Sequence, residues 1–205
     1  MSSNIKHWED VYQTKRFDSV SWYKPHLDFS LSIIEELQPN RNKSIVDIGG
    51  GQSTLLNDLI LKDYTNLNLI DISPTAVNFQ KKKLKAHQEK ITWHIGDITK
   101  YSFIKQKFDF WHDRAVFHFL TNSTNRKKYK NLLSKSVKKG GHVLISTFGS
   151  DGPLKCSGLP VERYNSEKLS KELGNEFKLL GSKLEEHRTP FDTTQQFLYC
   201  WFKSI

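Results

Sequence analysis

From residue 44 onward, short β-rich runs alternate with longer amphipathic segments, and that alternation sets the expected fold. Residues 44–48 (SIVDI) read as a buried strand, and residues 54–61 (TLLNDLIL) as the helix that follows it. A second strand is expected over residues 67–72 (LNLIDI). Ser73 then supplies a capping hydroxyl and Pro74 a first-turn proline, so residues 75–86 should be helical. Residues 91–95 (ITWHI) and 108–112 (FDFWH) predict the third and fourth strands, and the polar segment 122–137 the next helix. Gly140 and Gly141 turn into a fifth strand over residues 142–148, and residues 164–173 form a helix that Gly174 terminates. Residues 177–186 and 195–202 read as two closing strands joined through Thr189 and Pro190.

Strand and helix in repetition call for a parallel sheet covered on both faces, with right-handed crossovers. The last two strands have no helix between them and are expected to pair antiparallel. The fold class is therefore α/β: a Rossmann-like seven-stranded sheet, mostly parallel with an antiparallel last strand, and helices on both faces. At 205 residues one core is the default, so residues 1–205 are expected to form one domain. Within it, residues 1–43 make an N-terminal cap, 44–148 the binding core, 149–163 the one long loop, and 164–205 the closing helix and strands.

Composition adds exclusions. A hydrophobic content of 37% supports a packed fold rather than disorder. The net charge of +9 would suit an acidic partner, but the lysines are scattered, and the densest run, Lys81 to Lys83 with Lys85, lies on a solvated helix. Nucleic acid is accordingly not the expected partner. Two cysteines, Cys156 and Cys200, make neither a disulfide framework nor a Cys-x-x-Cys pair, and no metal site is expected. The first residues lack the apolar stretch of a signal peptide and no window suits a spanning helix, so a cytoplasmic location without membrane contact is expected. Nothing in the sequence indicates an oligomeric state.

Candidate chemistry starts in the run VDIGGGQS. In an open α/β sheet the ligand crevice lies beyond the carboxyl ends of the strands. Gly49 and Gly51 have the spacing of the first two glycines of a dinucleotide fingerprint, but Thr54 occupies the third position. Asp71, twenty residues after Gly51, ends the second strand where a carboxylate can accept both hydroxyls of a ribose. Asp97 ends the third strand in GDI, where it is placed to receive an adenine amine, with Ile72 and Ile98 flanking the ring. The long entry segment with Trp8, Tyr12, Trp22 and Tyr23, and the antiparallel close, fit a nicotinamide domain poorly.

VDIGGGQS, LIDIS, GDI, FDFWHDRAVFHFL and KKGGHVLIS, in that order, resemble the successive motifs of class I S-adenosylmethionine-dependent methyltransferases. The likeness spans residues 44–148, with Ser53 at the usual third glycine of D-x-G-x-G-x-G. HWEDVYQTK and VSWYK are similar to the entry segment of the thiopurine and elongation-factor-lysine branches, and GPLKCSGLPVERY resembles small bacterial methyltransferase-like proteins. The resemblance implies S-adenosyl-L-methionine as cofactor. Asp47, Gly49 and Gly51 would face its methionine end, Asp71 its ribose, and Asp97, Ile98 and Ile72 its adenine. Trp8, Tyr12 and Trp22 would close over it, an aromatic contact worth about 1 kcal/mol to a desolvated sulfonium.

His112 closes the predicted fourth strand and Asp113 and Arg114 follow it, beside the expected methyl group, and His118 lies one turn further on. These make the catalytic candidates, with His118 the favoured general base and a backbone-orienting histidine its alternative. Asp113 and Arg114 are expected to pair with each other and hold the loop. Cys156 reads as a lid residue, and His187 as a rim group or a turn hydrogen bond. The expected activity is methyl transfer to a small-molecule acceptor, because the cap and the long loop supply enough chain to close a pocket. A protein-lysine acceptor is the alternative; a nucleotide-dependent oxidoreductase or a noncatalytic S-adenosylmethionine-binding protein stand behind it.

Overall fold

The computed structural model describes residues 3–205. Seven strands form one sheet: β1 Ile45–Ile48, β2 Leu67–Asp71, β3 Ile91–Ile95, β4 Phe108–Arg114, β5 Val137–Phe148, β8 Phe177–Arg188 and β9 Thr194–Ser204. Their spatial order is β3-β2-β1-β4-β5-β9-β8. β1 to β5 pair in parallel, and β9 runs antiparallel to both β5 and β8. The expected seven-stranded α/β sheet with one reversed strand is the observed one. β6 Lys155–Cys156 and β7 Leu159–Pro160 form a small hairpin inside the segment expected to be one irregular loop.

Helices cover both faces: α1 Ser3–Thr14, α2 Asp28–Leu37, α3 Leu55–Leu61, α4 Pro74–Lys83, α5 Ser123–Ser136 and α6 Ser166–Leu173. Strand alternation divides the core between the two faces. Ile45, Leu67, Leu69, Phe110 and Leu144 pack with Ile33 and Ile34 of α2 and Leu55, Leu56 and Leu59 of α3. Val46, Ile48, Trp111, Val143 and Ile145 pack instead with Tyr129 and Leu133 of α5 and Leu169 and Leu173 of α6. Side-chain caps fix three helix starts: Ser73 accepts from Ala76 N–H, Asn122 from Asn125 N–H and Asn165 from Lys168 N–H. Two expectations are corrected. The helix after β2 stops at Lys83 and gives way to a 3₁₀ turn over Lys85–Lys90, and β4 continues two residues beyond His112.

Helix α1 is held against the start of α4. Glu9 accepts from Ser73 Oγ, from Thr75 N–H at 3.1 Å and from Thr75 Oγ1 at 2.7 Å, so a carboxylate stands where the helix amides are electropositive. Glu9→Ala should weaken this latch by about 1 kcal/mol. The expected reading is several-fold faster tryptic cleavage after Lys15 and Arg16. An unchanged cleavage rate would show that α1 is held by its aromatic face alone.

Candidate active site

Two adjoining crevices lie beyond the carboxyl ends of β1, β2 and β4, and they share Tyr12, Trp22, Gly49 and Arg114. The larger brings together Trp8, Asp71, Ile72, Asp97 and Ile98, as the motifs imply. The smaller reaches Asp47, Gly50, Ser53 and Thr54. Gly51 lines neither crevice. Its backbone is left-handed, with φ +44°, and a Cβ there would collide with the Tyr12 hydroxyl and lie 3.3 Å from an Asp71 oxygen. Its smallness serves the approach of Tyr12 to the loop.

Four of the loop's amides, those of Gly49, Gly50, Gly51 and Ser53, are committed within the protein. Gly49 N–H donates to the Ile70 carbonyl at 2.7 Å, Gly50 N–H to the same oxygen at 3.3 Å, and Ser53 N–H to the Gly50 carbonyl at 2.8 Å. Ser53 Oγ also accepts from Leu55 N–H at the start of α3. A phosphate cradle needs those donors free and aimed outward. On the side of β1 and β2 the crevices offer acceptors instead, Asp47 and Asp71, which suit hydroxyl and ammonium groups. Asp71 is buried at the end of β2, accepting from Ser73 N–H at 2.8 Å. Burial lifts its carboxyl to about 7, with the Ser73 and Gly51 amides pulling it back and Asp47 and Glu9 pushing it up. Such a carboxylate gains by accepting two ribose hydroxyls.

Asp47 and His112 are register partners on β1 and β4, so their side chains share a face. His112 Nδ1 donates to Asp47 Oδ1 at 2.7 Å, and its Nε2 accepts from Ser30 Oγ of α2 at 2.9 Å. Asp47 Oδ2 is buried without a partner among the described residues. That oxygen, facing the smaller crevice, is an acceptor for an ammonium group. Asp97 is partly committed: its Oδ1 accepts from the amide and hydroxyl of Thr99 at 2.9 and 2.7 Å.

The catalytic candidates are placed otherwise than the sequence suggested. Asp113 and Arg114 belong to β4 rather than to the loop after it, and His112 and Asp113 are buried. Asp113 and Arg114 do not pair, because consecutive strand residues point to opposite faces. Asp113 accepts from Val116 N–H at 2.8 Å, Phe117 N–H at 3.3 Å and Tyr129 Oη at 2.6 Å, and so fixes the turn after β4. Within that turn Ala115 is left-handed, with φ 73°. A non-glycine residue held so is strained, and it lines the larger crevice.

His118 is fully buried and outside the crevice lining. Its Nδ1 accepts from Phe148 N–H at 3.2 Å, so the proton sits on Nε2, which has no partner among the described residues. Burial, reinforced by the Arg114 charge, pulls its pKa down to about 3. In this geometry His118 serves the backbone at the end of β5 rather than the crevice. His187 donates from Nε2 to the Ser21 carbonyl at 2.8 Å, tying β8 to the cap segment. Cys156 does line the larger crevice, and burial raises its thiol to about 12, which suits a wall rather than a nucleophile.

Helix α2 and the wall residue Phe119 were not singled out from sequence. The signal for α2 was present: Ser30, Ile33, Ile34 and Leu37 recur at helical spacing after Asp28. Phe119 stacks edge-on to Trp8 at 5.2 Å, and Trp8 to Trp22 at 5.9 Å, which makes an aromatic wall from the cap and the turn after β4.

Residues 39–201 match a family model described as a methyltransferase domain. The chain is 27% identical over 197 residues to malonyl-(acyl-carrier protein) O-methyltransferase 2 of Ilyobacter polytropus, across 90% of this chain and 73% of that one. It is 26% identical over 152 residues to the tRNA N(3)-methylcytidine methyltransferase trm141 of Schizosaccharomyces pombe, across 70% of this chain and 59% of that one. The solved structure of a SAM-dependent methyltransferase from Anabaena variabilis superposes with a TM-score of 0.74 at 13% identity, covering 100% of this chain and 96% of that one.

Proposed function

Since the chain belongs to the methyltransferase-domain family and is an S-adenosylmethionine-dependent methyltransferase, we propose that its acceptor is a small molecule enclosed beneath α1 and the loop 149–163. The observation that carries this reading is the roofing of the larger crevice. Trp8 and Trp22 come from the cap, Phe119 from the turn after β4 and Cys156 from the long loop, so three separate segments close on one space. No helix among the described residues is long and apolar enough to cross a membrane.

In this reading Asp71 accepts the ribose hydroxyls, Ile72 and Ile98 sandwich the adenine beside Asp97, and Asp47 Oδ2 takes the ammonium of the methionine end. Gly49 keeps the loop backbone close, since a Cβ there would collide with Val116. The bound cofactor supplies an activated methyl group on a sulfonium, so the protein contributes mainly alignment and exclusion of water. His112 aligns Asp47 by their hydrogen bond. Asp113 sets the turn carrying Val116, and His118 holds the Phe148 amide at the end of β5. All three act as positioning residues.

The relative from I. polytropus is named for O-methylation of a carrier-protein-bound malonyl group, which supports an oxygen acceptor here. The decisive experiment is transfer of a radiolabelled methyl group from S-adenosylmethionine into cell extract separated into protein, nucleic-acid and small-molecule fractions. Label in the small-molecule fraction is expected. Base-stable label mainly in protein would return the lysine reading, base-labile label there would mark a carrier-bound acid, and label in RNA would align the chain with its tRNA-modifying relative. With the accepting fraction in hand, His118→Gln should lower the melting temperature, change kcat less than about tenfold, and leave the pH profile's shape intact. A flattened limb with a loss of ~10²–10⁴ in kcat would make His118 the base.

A further inference from the structure

Arg114 ends β4 and borders both crevices. Its guanidinium is anchored on neutral groups: Nε donates to Tyr199 Oη at 3.2 Å, and one terminal nitrogen to the Trp22 carbonyl at 2.9 Å. The Phe197 ring lies 4.5 Å beneath it. The other terminal nitrogen is buried and has no partner among the described residues, and Arg114 takes part in none of the ion pairs there. A largely desolvated cation without a counter-charge is costly, and its fixed fork suits a planar anion.

From this geometry we propose that the methyl acceptor carries a carboxylate-type anion and that Arg114 binds it. The inference rests on the methyltransferase reading of the same pocket and adds the substrate class. Two observations place the charge on the acceptor side. Cys156 of the covering loop, His187 of β8 and His118 behind the turn each feel the Arg114 charge. Of the three lining carboxylates, Asp71 and Asp97 are assigned to the nucleoside end and Asp47 to the cofactor's ammonium. An acceptor ammonium would therefore meet a fixed like charge with no carboxylate of its own to pair with. Arg114 is thus a substrate-binding residue that selects acids over amines.

The test uses the full chain saturated with S-adenosylhomocysteine and three isosteric probes: benzoate, benzamide and benzylamine. Calorimetry should show benzoate binding at least about tenfold more tightly than benzamide, as expected for a charge-assisted hydrogen-bonded pair, with benzylamine weakest. Arg114→Gln should erase the benzoate preference, and Arg114→Lys should retain part of it. Equal binding of the three probes, tighter benzylamine, or no benzoate binding at 10 mM would overturn the proposal. A second comparison separates the acceptor from the cofactor's own carboxylate. If Arg114→Gln weakens S-adenosylhomocysteine about tenfold or more yet leaves 5′-methylthioadenosine unchanged, the guanidinium serves the cofactor and the proposal falls. Failure of the wild-type chain to bind S-adenosylhomocysteine would instead sink the methyltransferase reading itself.

Discussion

Asp71→Asn should make the ligand-free protein more heat-stable at pH 8 and abolish its hold on S-adenosylmethionine. The Asp71 carboxyl is lifted from its ordinary 3.8 to about 7, first by burial. The folded chain therefore keeps this proton over a range in which the unfolded chain has released it. The stability it contributes is fully present below pH 3.8 and is lost as the pH rises through about 7. Over that window the loss is on the order of 4 kcal/mol. Asparagine removes the penalty while its oxygen still accepts from Ser73 N–H, the bond that Asp71 makes at 2.8 Å. The same change removes the charge that the ribose hydroxyls would satisfy. Melting curves at pH 5.5 and 8.5, with and without S-adenosylhomocysteine, read both effects. The wild type should gain from the ligand most at the higher pH, and the variant should gain nothing at either. A variant that melts no higher than wild type at pH 8.5 and is still stabilised by the ligand would refute this role for Asp71.

Gly51→Ala should cost both fold and function. At φ +44° an L side chain costs about 1–2 kcal/mol, before any collision is counted. The added methyl would also displace the Tyr12 hydroxyl and crowd Asp71, so the strain falls on the ribose acceptor and on α1 together. Cofactor affinity should drop by about 100-fold, since one misplaced acceptor and one displaced wall each cost ~1–2 kcal/mol. Trp8 lies on α1 and lines the larger crevice, so its fluorescence should report the displaced helix. Wild-type affinity with an unchanged emission spectrum would show that the loop tolerates a side chain here.

The sheet was legible because its signals are local. Short apolar runs mark the buried strands, glycine turns and capping residues punctuate several elements, and the reversed last strand followed from the missing crossover. The positions proposed for the nucleoside were legible for the same reason: Asp71 ends β2, Asp97 follows β3, and a strand's carboxyl end faces the crevice that both line. What the sequence hid are relations between distant segments. His112 was expected at its strand's end beside the reacting centre, but the β1–β4 register sets its ring on Asp47, across 65 positions of chain. His118 looked available because its neighbours in sequence are turn residues, yet Phe148, thirty positions later, claims its Nδ1. Arg114 was read as half of a pair with Asp113, a contact that strand alternation forbids. Its true partners, Trp22 and Tyr199, come from the cap and from β9.

A crystal structure of the S-adenosylhomocysteine complex tests the central claim most directly. The expected result is one ligand with its ribose hydroxyls on Asp71, its adenine between Ile72 and Ile98, and its amino group at Asp47 Oδ2. A ribose bound away from Asp71, or an amino-acid end directed away from Asp47, would contradict it.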